Sequence, residues 1–296
     1  MKKYRLGFSI RGFLSFLLIM IPNIIWMIIS PANDLLAENS SVYPILFAWN
    51  EQEASISSLT YADNTIFVTG ILTENQSFGI YSSEDNGDTW NISNIDYFDE
   101  DDGANQLFCS FIDKNNGYVL FCSGPALGLM KKVLYKTTDG GITFQKVEDI
   151  SDIKGYPTGL SFNEDVDGFI TCTYHGDDNA YLYGSYDQGK TWEALNVQPS
   201  DDLIDTSSTG YFNGYPPRFT EESGFMVIEY VTKQPFYSIY HSSDSGKTWS
   251  LDGKIDLQSD TIDTVVDYSF CDDKMVYIVD STGKLLKKVK DGNEWK

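Results

Sequence analysis

Apolar residues are distributed along this chain in two different ways. From Gly12 to Ile29 they run together, interrupted only by Ser15, Pro22 and Asn23, and Lys2, Lys3, Arg5 and Arg11 precede the run. A segment apolar on all faces behind a basic start reads as a hydrophobic export helix. Beyond residue 41 the apolar positions come instead in short alternating bursts, separated by turns rich in Asp, Asn, Ser and Gly. That pattern predicts β-strands for the rest of the chain.

The turns repeat. Ser83-Glu84-Asp85-Asn86-Gly87-Asp88-Thr89-Trp90 is followed by Thr137-Thr138-Asp139-Gly140-Gly141-Ile142-Thr143-Phe144. Ser185 to Trp192 (with Asp187 and Gly189) and Ser242 to Trp249 (with Asp244 and Gly246) are two further copies. Val289 to Trp295, built on Asp291, is a fifth copy one residue short. In each octet Ser or Thr and Asp can bond nearby amides, Gly supplies a positive φ, and the aromatic packs inward, so the octet predicts a hairpin turn. A Tyr (Tyr81, Tyr135, Tyr183 or Tyr240) lies four residues before each of the first four Asp. A second repeat lies upstream of the octets: Phe111-Ile112-Asp113 to Gly117-Tyr118, Phe162-Asn163-Glu164 to Gly168-Phe169, and Phe219-Thr220-Glu221 to Gly224-Phe225. Each unit therefore reads as strand, acidic turn, strand, loop, strand, octet turn, strand.

Four antiparallel strands recurring about every fifty residues predict an all-β fold, a β-propeller of four-stranded antiparallel blades. The octets resemble the Asp-box (BNR) repeats of the sialidase superfamily, and the Phe…Gly-aromatic element resembles the photosystem II stability/assembly-factor-like repeat proteins. The resemblance covers residues 42 to 296, a length that accommodates five units of 51 residues. Five blades are expected rather than the six or seven of many relatives. Tyr43 to Trp49, an apolar strand without a unit of its own, would complete the last blade and remove its exposed edge. The expected organisation is a signal-anchor or transmembrane helix over 1–30, a linker over 31–41 and the Asp-box propeller over 42–296.

Charge narrows the partners. The net charge is −22, and beyond residue 40 there are 17 cations against 41 anions. Such a surface repels phosphate backbones, so nucleic acid is excluded, and membrane contact is expected through the N-terminal helix only. The Gly12–Ile29 run approaches the length that crosses about 30 Å of hydrocarbon. A single-pass protein of the cell membrane is therefore expected, with its basic flank inside and its propeller extracytoplasmic. Secretion after cleavage near Ala32 is the alternative. The chain is expected to act as a monomer.

If octets and acidic turns share one face of the disc, ligands belong on the other. The longer linkers there carry Tyr97, Asp99, Glu100, Asp101, Asp102, Tyr156, His175, Asp177, Asp178, Tyr211, Tyr215 and Arg218. Acids and tyrosines together suit a sugar or a cationic peptide, so a protein or glycan partner is expected. No cofactor is expected. Calcium at Asp99–Asp102 is the one candidate, although that loop lacks the alternating spacing of a dedicated site. His175 and His241, the only histidines, do not make a zinc site.

The sialidase resemblance implies three arginines gripping a carboxylate, a Tyr–Glu nucleophile and an Asp acid/base. Of the three arginines here, Arg5 and Arg11 are in the export segment and only Arg218 remains. Bidentate carboxylate capture by an arginine triad is therefore excluded. No catalytic residue carries over, and a non-catalytic binding protein is the leading reading. A glycoside hydrolase or lyase using paired carboxylates is the alternative. Cys109 and Cys122 flank a polar turn at nearly equal distances, which suggests they face each other, and a cross-strand disulfide is an open alternative to four buried thiols.

Overall fold

The computed structural model describes residues 54–72, 78–95, 104–123, 130–174, 182–197, 211–220, 223–231, 236–255, 265–280, 284–292 and 294–296. All of their regular structure is β, and every strand pairing within either unit is antiparallel. The expectations for 1–30, 31–41 and the Tyr43–Trp49 strand lie outside the described residues. Two compact units are present, one ending at Ile255 and one within Asp256–Lys296.

The first unit is a series of four-stranded meanders. Strands β1 (Ala54–Ala62), β2 (Thr65–Leu72), β3 (Phe78–Ser83) and β4 (Asn91–Ile95) form the first sheet in chain order. Strands β5 (Ala104–Phe111), β6 (Gly117–Ser123), β7 (Lys132–Thr137) and β8 (Gln145–Asp149) form the second. The third has β9 (Tyr156–Phe162), β10 (Gly168–Tyr174), β11 (Leu182–Ser185) and the two-residue β12 (Glu193–Ala194). In the fourth, the first strand is split into β13 (Tyr211–Gly214) and β14 (Arg218–Thr220), both pairing with β15 (Ser223–Val231). Strands β16 (Phe236–Ser242) and β17 (Ser250–Ile255) complete it. The Pro216-Pro217 pair explains the split, because proline has no N–H to give a ladder. β13 also pairs with the end of β10, joining the third and fourth sheets.

First strands lie side by side, β1 with β5, β5 with β9 and β9 with β13. Hydroxyls join them: Cys109 N–H donates to Ser58 Oγ (3.3 Å), Phe162 N–H donates to Ser110 Oγ (2.9 Å), and the Thr158 hydroxyl donates to Gly214 O.

The Phe…Gly-aromatic repeat explains both the hairpins and the stacking of the sheets. Phe111 and Phe162 end their first strands, Phe219 is one residue from the end of β14, and the three stand opposite Gly117, Gly168 and Gly224. A Cβ on any of these glycines would come within 2.6 Å of the facing ring. The aromatic one sheet earlier then covers the ring's other side: Phe67 on Phe111 (3.6 Å between centroids), Tyr118 on Phe162 (3.7 Å) and Phe169 on Phe219 (5.0 Å). Burying such rings supplies much of the hydrophobic stabilisation. The intervening cores are apolar, for example Phe78, Ile80, Leu107 and Phe121 between the first two sheets.

The second unit pairs β18 (Val265–Asp272), β19 (Met275–Asp280), β20 (Leu285–Asp291) and β21 (Glu294–Trp295) in sequence. Trp295 is fully buried against the edge of Phe270.

Candidate functional site

Each of the four full octets joins the third and fourth strands of its sheet, and all four share the same bonds among their first, third, fifth and seventh positions. The Ser or Thr hydroxyl at the first position donates to Oδ1 of the Asp (2.8–2.9 Å) and accepts the N–H of the fifth-position Gly (2.8–2.9 Å). The seventh-position Thr donates its N–H to Oδ1 (2.8–2.9 Å) and its hydroxyl to Oδ2 (2.6 Å). The indoles of Trp90, Trp192 and Trp249 fold back and donate to O of Gly87, Gly189 and Gly246 (2.8–2.9 Å). Phe144 fills that position without a donor. In the shortened fifth copy the Trp295 N–H finds no acceptor among the described residues.

Two positive-φ residues in succession close each octet. Asn86, Gly140, Gln188 and Ser245 have φ of 56° to 71°, and Gly87, Gly141, Gly189 and Gly246 have φ of 85° to 94°. In the third and fourth octets the second of these must be glycine for a further reason. A Cβ on Gly189 would lie 2.4 Å from Leu134 of the preceding sheet, and one on Gly246 would lie 2.3 Å from Phe169. The bonds from Thr89 and Ser83 hold the Asp85 carboxyl down at about 2. Burial opposes ionisation at Asp139, Asp187 and Asp244, but the corresponding threonine and serine bonds outweigh it, and all three are lowered. These carboxylates are occupied by their own turns. The acidic turns lie beside the octets, as where Gly140 N–H donates to Asn115 O (2.9 Å).

Of the expected ligand-binding residues, Tyr97, Asp99, Glu100, Asp101, Asp102, His175, Asp177 and Asp178 lie outside the described residues. Three of the remaining candidates are on strands, where linkers were expected. Tyr156 begins β9, Tyr211 begins β13 and Arg218 begins β14. Alternation is weak at these strand starts, because Pro157, Gly159 and the Pro216-Pro217 pair interrupt it. Tyr215 is in the β13–β14 connection, its N–H bonded to Val227 O (2.9 Å). Tyr156 packs on the core between the second and third sheets, and Arg218 is half-buried near Cys109.

The register shows a polar row that the sequence reading missed. Tyr156 pairs with Thr173, Thr173 with Asn213, Asn213 with Glu229, and Glu229 with Tyr237, across five strands at the end away from the octets. Thr173 Oγ donates to Asn213 Oδ1 (3.0 Å), Asn213 Nδ2 donates to Glu229 Oε2 (2.9 Å), and Tyr237 OH donates to Glu229 Oε1 (3.0 Å). Glu229 is only 7% exposed. The signal in the sequence was a lone acid inside the apolar run Gly224-Phe-Met-Val-Ile-Glu-Tyr-Val231.

Lys132, 2% exposed, is the complementary oddity. Its Nζ donates to Met130 O (3.1 Å) and Ile153 O (2.7 Å), which ties the linker between the second and third sheets to β7. Burial lowers its pKa.

The cysteines do not face each other. Cys109 stands opposite Val119 and Cys122 opposite Gln106, a three-residue offset that the turn length hides. Because the offset is odd, the pleat sends Cys109 and Cys122 to opposite faces, into different cores. Cys109, Cys122 and Cys172 are free and buried. Burial pushes the thiols of Cys122 and Cys172 up to about 12, which keeps them protonated. Among the described residues no group of three or more His, Cys, Asp or Glu is arranged to hold a metal ion.

No family model matches the chain. No curated protein matches it either. Among solved structures it is similar to YCF48 bound to a D1 peptide, at 17% identity and a TM-score of 0.37, covering 81% of this chain and 95% of that one. YCF48 from Cyanidioschyzon merolae is similar at 13% identity and a TM-score of 0.43, over 83% of this chain and 85% of that one. A thermostable family-43 glycoside hydrolase is similar at 11% identity and a TM-score of 0.49, over 82% and 93%.

Proposed function

We propose that the chain is a non-catalytic β-propeller of five Asp-box blades, held outside the cell membrane by its N-terminal segment. On this reading it binds a protein or glycan partner through the end of the strands opposite the octets. The supporting observation is an asymmetry between the two strand ends. At the octet end each of the four Asp carboxylates is bonded within its own turn. At the other end a row of polar side chains leads to Glu229, whose carboxylate has only neutral hydrogen-bond donors around it among the described residues. Glu229 therefore supports a recognition site at the end away from the octets, as a carboxylate there with acceptor positions to spare.

Two sets of variants separate the ligand classes, assayed against a glycan array and a panel of cationic peptides. Tyr156→Ala with Tyr215→Ala should abolish binding of a neutral glycan, whose C–H faces stack on aromatic rings. Asn at each of Asp99, Asp101 and Asp102 should instead weaken a cationic peptide, and that binding should fall as salt rises. Turnover of a polysaccharide by the purified protein would contradict the non-catalytic reading.

A further inference from the structure

We propose that Glu229 is an anchoring carboxylate for a cationic group, a lysine ammonium or an arginine guanidinium, presented by a protein partner. This inference rests on the binding reading above and names the partner's chemistry.

Glu229 is buried, and its two hydrogen bonds come from an amide and a phenol, so no described cation balances its charge. Buried charges are ordinarily paired, because an isolated carboxylate in an apolar setting is strongly disfavoured. An ionised carboxylate has about four acceptor positions. Asn213 and Tyr237 occupy one on each oxygen and fix the rotamer, which leaves further acceptor positions on both oxygens. The group is carried by β15 between β13 and β16, two residues from the end of the strand and away from the octets. A rigid, partly desolvated carboxylate of this kind loses little entropy on binding, and its attraction for a cation is stronger than that of an exposed acid.

Other ligands fit less well. Calcium takes about six to eight oxygens, and among the described residues Glu229 belongs to no group of three or more His, Cys, Asp or Glu that could hold a metal ion. A neutral sugar could use the lone pairs but would leave the charge unbalanced.

The test uses the full chain in non-ionic detergent and a fluorescent deca-arginine peptide, with anisotropy read at about 0.15 M and about 1 M salt. At the higher salt, exposed charges are screened within about 3 Å, so the buried carboxylate should dominate what binding remains. Glu229→Gln should weaken that binding by about tenfold or more. Asp88→Asn, at an exposed octet position, should leave it within about twofold. Glu229→Asp, which keeps the charge but draws it back from the Asn213 and Tyr237 donors, should weaken it as well, and this variant decides the matter if Glu229→Gln does not fold. A Glu229→Gln protein with unchanged affinity, or a Glu229→Asp protein that binds as tightly as the wild type, would overturn the anchoring role while leaving the binding reading intact. Failure of the wild-type protein to bind the peptide at about 0.15 M salt would overturn both the anchor and the cationic-partner reading.

Discussion

Asp187 illustrates how much one side chain does in an octet turn. It accepts the Ser185 hydroxyl, the Lys190 and Thr191 N–H groups and the Thr191 hydroxyl, at 2.6 to 3.1 Å. Asp187→Ala should therefore cost about 1–2 kcal/mol of stability, read as a lower midpoint in thermal unfolding, with ligand binding nearly unchanged. Loss of binding with an unaltered midpoint would reverse the assignment of faces. The same bonds predict an acid limit. A carboxyl whose folded pKa lies below its unfolded value stabilises the protein above the unfolded value and loses that contribution as pH falls through the folded one. With all four octet aspartates lowered, and Asp85 lowered from 3.8 to about 2, the unfolding midpoint should drop as pH falls from about 4 towards 2. A midpoint that stayed level or rose across that interval would contradict the turn chemistry.

For the elements, the Phe…Gly pairs make the most exposed claim. Gly168 has an ordinary backbone, so its requirement for glycine comes from packing: a Cβ would meet the Phe162 ring at 2.6 Å and Trp192 at 2.9 Å. Overpacking of this kind costs about 1–3 kcal/mol. Gly168→Ala should lower the unfolding midpoint, and Gly168→Ala combined with Phe162→Leu should recover part of the loss. If the single variant melted like the wild type, the account of sheet stacking would be wrong. Where alternation and turn chemistry agreed, strand order could be read directly from the residues, as in the octet hairpins. Where proline or glycine broke the alternation, strands looked like linkers, which is why Tyr156, Tyr211 and Arg218 were expected in loops. The spacing of Cys109 and Cys122 around their turn misled for a related reason: the register is set by Phe111 standing opposite Gly117, and no count of turn residues contains that information.

At the scale of the molecule, net charge governs association. With −22 overall, capture of a cationic partner should be fast at low salt and slow markedly as screening increases. Stopped-flow association rates with the deca-arginine peptide, measured against ionic strength, would check this, and a salt-independent rate would point to a neutral ligand. The sequence by itself determined the all-β class, the four-strand unit, the octet turn and the shortage of arginine. These depend on local chemistry, a hydroxyl and a carboxylate within reach of nearby amides or a glycine at positive φ, and local chemistry is written in consecutive residues. Tertiary structure decided which acid is buried, which cysteines face which core, and how Thr173, Asn213, Glu229 and Tyr237 come to share hydrogen bonds across four strands. Those relations join residues up to 64 positions apart. They follow from strand register and sheet stacking, which set distances in space that spacing along the chain does not encode.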